Sequence, residues 1–213
     1  ALKNLDTDRP FQIVVYGTPA EETLGSKCDM IKKGCFHDLD VAFMMHGGPN
    51  TCTDVRCLAQ RSFHVTFHGK RAHAALAPDK GRSAFDALLA AFQGIEFLRE
   101  HVPDDVRMHY TVAKLPGPAN VVPAEAEGEF ALRSFSRKTL EGVCERFLDI
   151  IKGASLIAGV DYEIKEGTFF FNKIPVLKLN ELLMNNAKLA GAPQLAPPRE
   201  KTGSTDFGNV MYE

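Results

Sequence analysis

The stretch Arg61-Ser-Phe-His-Val-Thr-Phe-His68 decides the fold. Phe63, Val65 and Phe67 alternate with Ser62, His64, Thr66 and His68. A period of two puts the apolar side chains on one face and the polar ones on the other. A strand with one covered and one wet face belongs in an antiparallel sheet. Downstream, residues 83–101 carry Ala84, Leu88, Ala91, Phe92, Ile95 and Leu98 at helical spacing behind Ser83, a good cap residue. Residues 106–114 and 127–134 alternate again, with the Gly117-Pro118 loop between them. A second helix is predicted over 136–158, from Ser136 to a stop at Gly159, and a short last strand over 162–165. The resulting order, β-α-β-β-α-β, is that of a split-βαβ or ferredoxin-like unit.

Upstream of this unit the pattern changes. Residues 11–16 (Phe-Gln-Ile-Val-Val-Tyr) and 40–45 (Asp-Val-Ala-Phe-Met-Met) are short apolar runs. Such runs predict strands buried on both faces of a parallel sheet. The first closes in Gly17-Thr18-Pro19 and the second in His46-Gly47-Gly48-Pro49. A helix is expected over 22–33, stopped by Gly34, and another over 176–189 after Ile174-Pro175. The fold class is therefore α/β, in three pieces. Residues 1–58 and 174–213 form the two parts of a partial parallel-sheet domain, and 59–173 form an inserted α+β domain. With Ala1 at one end and no tail after Glu213, the chain reads as an excerpt of a longer protein.

Composition narrows the function classes. The 213 residues are 45% hydrophobic and 24% charged, ordinary values for a globular chain. A net charge of −2 with both signs interspersed leaves no basic footprint for nucleic acid. No apolar run reaches the roughly 20 residues of a membrane-spanning helix. Five cysteines, Cys28, Cys35, Cys52, Cys57 and Cys144, form no framework and read as free thiols in a reducing, cytoplasmic compartment.

Several polar residues sit where α/β enzymes collect their chemistry, at the carboxyl ends of strands. Glu21 and Glu22 follow the first apolar run, and His46 follows the second. Adjacent carboxylates can divide labour between a metal and a proton, and imidazole with carboxylate suits zinc, manganese or cobalt. The same residues can equally be a solvated acidic turn and a hydrogen-bonded surface histidine. The insert adds His73 in His68-Gly-Lys-Arg-Ala-His73-Ala, Asn120 in a Gly/Pro-rich loop, and Arg133 within an apolar strand, where its fork suits a carboxylate.

Six motifs occur in order: Gly17-Thr-Pro-Ala-Glu-Glu22, Asp40 through His46-Gly-Gly, His68-Gly-Lys-Arg-Ala-His73-Ala, Gly117-Pro-Ala-Asn120-Val-Val-Pro, Leu132-Arg133 and Gly203-Ser-Thr-Asp-Phe-Gly208. Together they resemble the M20 metallopeptidase/amidohydrolase family, in its aminoacylase-like, aminobenzoyl-glutamate hydrolase-like branch. The resemblance implies a zinc-peptidase-like catalytic domain with an inserted lid that dimerises. It also implies hydrolysis of the amide bond of an N-acyl amino acid or dipeptide by a metal-activated water. Glu21 matches the general base. Glu22 and His46 match ligands of a divalent metal, zinc or else manganese or cobalt, with two ions in the complete protein. His73 matches the histidine that stabilises the oxyanion in the partner subunit of a homodimer. Asn120 and Arg133 match residues that hold the substrate's amide and carboxylate, and Ser204 and Thr205 match a loop beside the substrate. The family's further ligands, before the Gly17 strand and after Gly208, have no counterpart in this chain. The competing expectation is a non-catalytic dimeric relative that binds a small acyl-amino acid. A serine hydrolase is disfavoured by the lack of a Gly-x-Ser-x-Gly elbow.

Overall fold

The computed structural model describes residues 8, 10–20 and 25–213. Its elements in chain order are α1 (Ser26–Lys32), β1 (Asp54–Cys57), β2 (Ala59–His68), β3 (Ala72–His73), α2 (Ala84–Arg99), β4 (Arg107–Lys114), β5 (Val121–Val122), β6 (Glu125–Ser134), α3 (Arg137–Ala158), β7 (Asp161–Phe170), α4 (Leu177–Leu189), β8 (Arg199–Thr202) and α5 (Phe207–Val210).

The alternating segments pair as their pattern requires. They form a four-stranded sheet in the order β4-β6-β2-β7, antiparallel throughout. Phe63, Val65 and Phe67 of β2 and Ala126, Phe130 and Leu132 of β6 point to the same side and are buried. Helices α2 and α3 cover that side with Leu88, Ala91, Ile95, Leu140, Phe147 and Ile151. The ring of Phe147 lies 4.8 Å from that of Phe63 and 5.1 Å from that of Phe130, within the range of favourable aromatic pairs. Each such side chain contributes about 1.5–3 kcal/mol through burial.

The expected helix ends are present. Ser83 Oγ accepts from Asp86 N at 3.1 Å, and Ser136 Oγ from Thr139 N at 3.2 Å. Gly159 stops α3 at φ +64°, a left-handed turn that glycine adopts without strain.

The structure corrects the sequence reading in three places. Residues 11–16 and 40–45 belong to no sheet among the described residues, and Val15, Phe43 and Met45 are exposed. A run apolar on both faces is stable as a strand only between neighbours on both edges and layers on both faces. Neither segment has a strand neighbour here. The parallel pairing that does exist joins β1 to β8, with Asp54 opposite Arg199 and Cys57 opposite Thr202. The last strand of the insert, expected over 162–165, runs the full length of β2 as β7. The helix expected over 22–33 begins at Ser26, and residues 22–24 lie outside the described residues.

Candidate active site

At the root of the insert, the strand ends and the flanking segments meet. Glu21 and Glu22 lie outside the described residues, but the backbone on either side of them is defined. Gly25 N donates to Ala20 O at 3.2 Å. Upstream, Tyr16 Oη donates to Cys35 O at 2.7 Å, and its ring packs edge-on against Phe36. Downstream, Gly25 sits at φ +62°, and a Cβ there would collide with the ring of Phe170 at the end of β7. Helix α1 starts at the next residue.

His46 is exposed, and its Nδ1 lies 2.7 Å from Gly47 O. A carbonyl has no proton to give, so Nδ1 carries a hydrogen, and in the neutral ring the lone pair is on Nε2. This is the arrangement that metal-ligating histidines adopt when a backbone carbonyl orients the ring.

Arg133 stands near the end of β6 on the sheet face away from the helices, opposite Gln60 of β2 and Arg107 of β4. Its Nε is buried and has no hydrogen-bond partner among the described residues. Ser204 Oγ is buried and unsatisfied in the same sense. Thr205 Oγ1 accepts from Phe207 N at 3.3 Å. Both residues follow β8, which pairs with β1 at the same end of the sheet as Arg133. The thiol of Cys57 joins these pieces. Its Sγ accepts from Lys173 N at 3.2 Å, and burial, the largest influence on it, pushes its pKa up. Asp54 bonds Arg199 at 2.7 Å and Lys173 at 3.2 Å. Burial raises its carboxyl pKa, but the hydrogen bonds and charges of Arg199 and Lys173 outweigh burial and hold it below the usual range.

His73 and Asn120 lie elsewhere. β3 pairs with β5, His73 opposite Val121, and Ala74 N donates to Asn120 O at 3.0 Å. His73 Nδ1 accepts from Ala75 N at 3.3 Å, so in the neutral ring the proton is on Nε2. This pair lies at the His68/Glu125 end of the sheet. Eight residue steps along β6 separate Glu125 from Arg133, about 26 Å at strand rise. One small substrate cannot touch both ends. The chain therefore groups Arg133, Ser204 and Thr205 at the root and His73 with Asn120 at the tip. No group of three or more potential metal ligands occurs among the described residues.

Sequence reasoning missed the groups that organise the root: the buried Lys27–Asp206 pair, Cys57, and Asn209. Asn209 accepts from Phe171 N and donates to Phe169 O, both at 3.0 Å. Their partners lie far away in the chain, 179 residues apart for Lys27 and Asp206, and no periodicity marks them.

The model of the peptidase dimerisation domain of M20 proteins matches residues 60–156, the part of the chain that forms the four-stranded sheet and its helices. Residues 60–156 belong to the M20 peptidase dimerisation-domain family. The chain is 31% identical over its whole length to half of the Xaa-Arg dipeptidase of Mus musculus. It is also 31% identical over 84% of its length to 38% of a p-aminobenzoyl-glutamate hydrolase polypeptide of Escherichia coli. Among solved structures, the aminobenzoyl-glutamate utilization protein of Klebsiella pneumoniae superposes with a TM-score of 0.67, covering 86% of this chain and 49% of that one at 23% identity. That likeness shows a shared M20 fold. The chain spans about half the length of the curated relatives it matches. No helix among the described residues is long and apolar enough to cross a membrane.

Proposed function

We propose that the full-length protein is a metal-dependent hydrolase of the amide bond in an N-acyl amino acid or dipeptide. In this reading residues 1–58 and 174–213 belong to the catalytic domain and 59–173 form the lid through which two copies pair. Glu22 and His46 would hold a divalent ion, for which zinc fits the mixed carboxylate and imidazole donors. The His46 tautomer supports this, since its hydrogen bond to Gly47 O leaves a lone pair on Nε2 of the neutral ring. When bound, such an ion supplies Lewis-acid polarisation and lowers the pKa of a water to near neutrality.

Within the chain's own residues, Glu21 takes the proton of the attacking water and later delivers it to the leaving amine. His73 directs its Nε2 proton to the carbonyl oxygen as that oxygen gains charge. Arg133 forks onto the substrate carboxylate, while Ser204 and Thr205 border it. Asn120 accompanies His73 and orients the amide.

The contrast between the two histidines carries this reading: His46 Nδ1 faces a carbonyl, and His73 Nδ1 accepts from an amide. In the neutral rings, Nε2 of His46 is then the atom that would meet a metal, and Nε2 of His73 the one that would give a proton to an oxyanion. Because His73 and Asn120 lie at the far end of the sheet from Arg133, they would serve the site of the partner copy. The five free cysteines fit a reducing, cytoplasmic address.

Replacing Glu21 by Gln in the full-length enzyme should lower kcat by at least about 10²-fold, the usual contribution of a general base. Metal content, read by elemental analysis, should not change. Near-normal turnover of an N-acyl amino acid or dipeptide by the variant contradicts the assignment.

A further inference from the structure

Asp206 belongs to the Gly203-Ser-Thr-Asp-Phe-Gly208 motif, yet the proposed reaction does not use it. It is fully buried, and its ion-pair partner Lys27 is 5% exposed. Asp206 Oδ1 accepts from Lys27 Nζ at 2.7 Å, and Oδ2 accepts from the backbone N of Lys27 at 3.0 Å. A buried ion pair adds little stability over an apolar pair of the same volume, so stability alone does not account for it.

The carboxylate does one thing an apolar side chain cannot. It gives an acceptor to a backbone N–H in the first turn of α1, where such groups lack intrahelical partners. The residue at the helix start, Gly25, has no side chain to do this. In sequence, Glu21 and Glu22 stand five and four residues before Ser26, the first residue of α1.

Asp206 also begins α5, whose Asn209 grips both sides of the end of β7 through Phe169 O and Phe171 N. The next contact is direct, because the Phe170 ring closes on Gly25. A continuous set of bonds thus runs from the last strand of the insert, through Asn209 and Asp206, to the start of α1.

We propose that Asp206 is a positioning residue that, with Asn209, ties the end of β7 to the first turn of α1, the helix that follows Glu21 and Glu22 in the chain. This inference rests on the hydrolase reading above, in which Glu21 and Glu22 supply the base and a ligand.

Two double variants of the full-length enzyme separate positioning from bulk stability. Lys27→Met with Asp206→Leu removes both charges and the acceptor. Lys27→Met with Asp206→Asn removes the charges but keeps an acceptor for the backbone N–H. Misplacing a catalytic group by about 1 Å can cost up to ~10²-fold in rate. The leucine variant should therefore lose at least about tenfold in kcat with KM nearly unchanged, and the asparagine variant should recover to within about threefold of the parent. Rates are compared well below both thermal midpoints, so that a difference in global stability does not enter. Equal kcat in both variants overturns the proposal.

If the leucine variant does not fold, hydrogen exchange of the Lys27 amide in the unaltered enzyme decides. Exchange as slow as that of the buried turns of α3 supports the clasp, and exchange at the rate of an unprotected peptide overturns it. That measurement does not depend on activity. Absence of any hydrolysis by the unaltered enzyme would instead overturn the functional reading and leave the clasp standing.

Discussion

Between Ala59 and Ala154 the chain buries one continuous apolar cluster, whereas outside it the buried apolar residues among those described are Phe36, Cys57 and Val210. The insert and the segments around it are similarly apolar in sequence, so composition does not explain the difference. Half-apolar strands find what they need in one sheet and two helices, all within about a hundred residues. Runs that are apolar on both faces need more neighbours, and 11–16 and 40–45 leave Val15 89% and Met45 97% exposed. Helix α4 likewise contains no buried residue. The insert is thus held by packing. The segments around it are held at the root by a few polar clamps: Asp54, Lys27–Asp206 and Asn209.

The largest expected effect lies in the insert. Phe147→Ala should destabilise it by about 3–5 kcal/mol, since a fully buried ring contacting Phe63 and Phe130 leaves a cavity. Met45→Ala should change stability by less than about 0.5 kcal/mol. Chemical denaturation of the two variants checks the contrast, and a large loss in Met45→Ala would break it.

At the joint between the two regions, Gly25→Ala should cost about 1–3 kcal/mol, because a left-handed φ must be held by a residue with a Cβ. The Phe170 ring must also move. Thermal melting reads the cost, and an unchanged midpoint would mean that the root is looser than described.

The smallest effect is electrostatic. The folded pKa of Asp54 is lowered, and so is that of Asp105, where burial raises it but bonds from Ser134 and Phe135 N outweigh burial. A depressed carboxyl contributes stability above its unfolded pKa, about 3.9, and loses it as pH falls through the folded value. Asp54→Asn should therefore cost about 1–2 kcal/mol at pH 7, and the cost should shrink as pH falls through the folded pKa of Asp54. A cost that persists unchanged in acid would place the effect in packing.

These regions were not equally legible in sequence. The period of two in β2 and β6 and the helical stripes behind Ser83 and Ser136 are local patterns, and the insert folds as they dictate. The runs at 11–16 and 40–45 look like strands because their residues favour burial, but a strand also needs partners, which a run of sequence does not display. For the site, motif order singled out His46, His73, Asn120 and Arg133 as candidates. It did not reveal that Asn120 stands with His73 at one end of β6 and Arg133 at the other. That separation follows from the antiparallel register. The Lys27–Asp206 clamp was invisible because its two halves are far apart in the chain.

The central claim is that a working site combines the root of one copy with the His73–Asn120 tip of another. Mixing full-length Glu21→Gln and His73→Ala enzymes, each nearly inactive alone, tests it directly once subunit exchange is confirmed. In a two-fold dimer each mixed pair contains one site with both groups intact, so equal mixing should restore about a quarter of the unmutated activity. Activity that stays at the level of the separate variants would place His73 and Glu21 in the same copy's site, or His73 outside the site altogether, and would contradict the account.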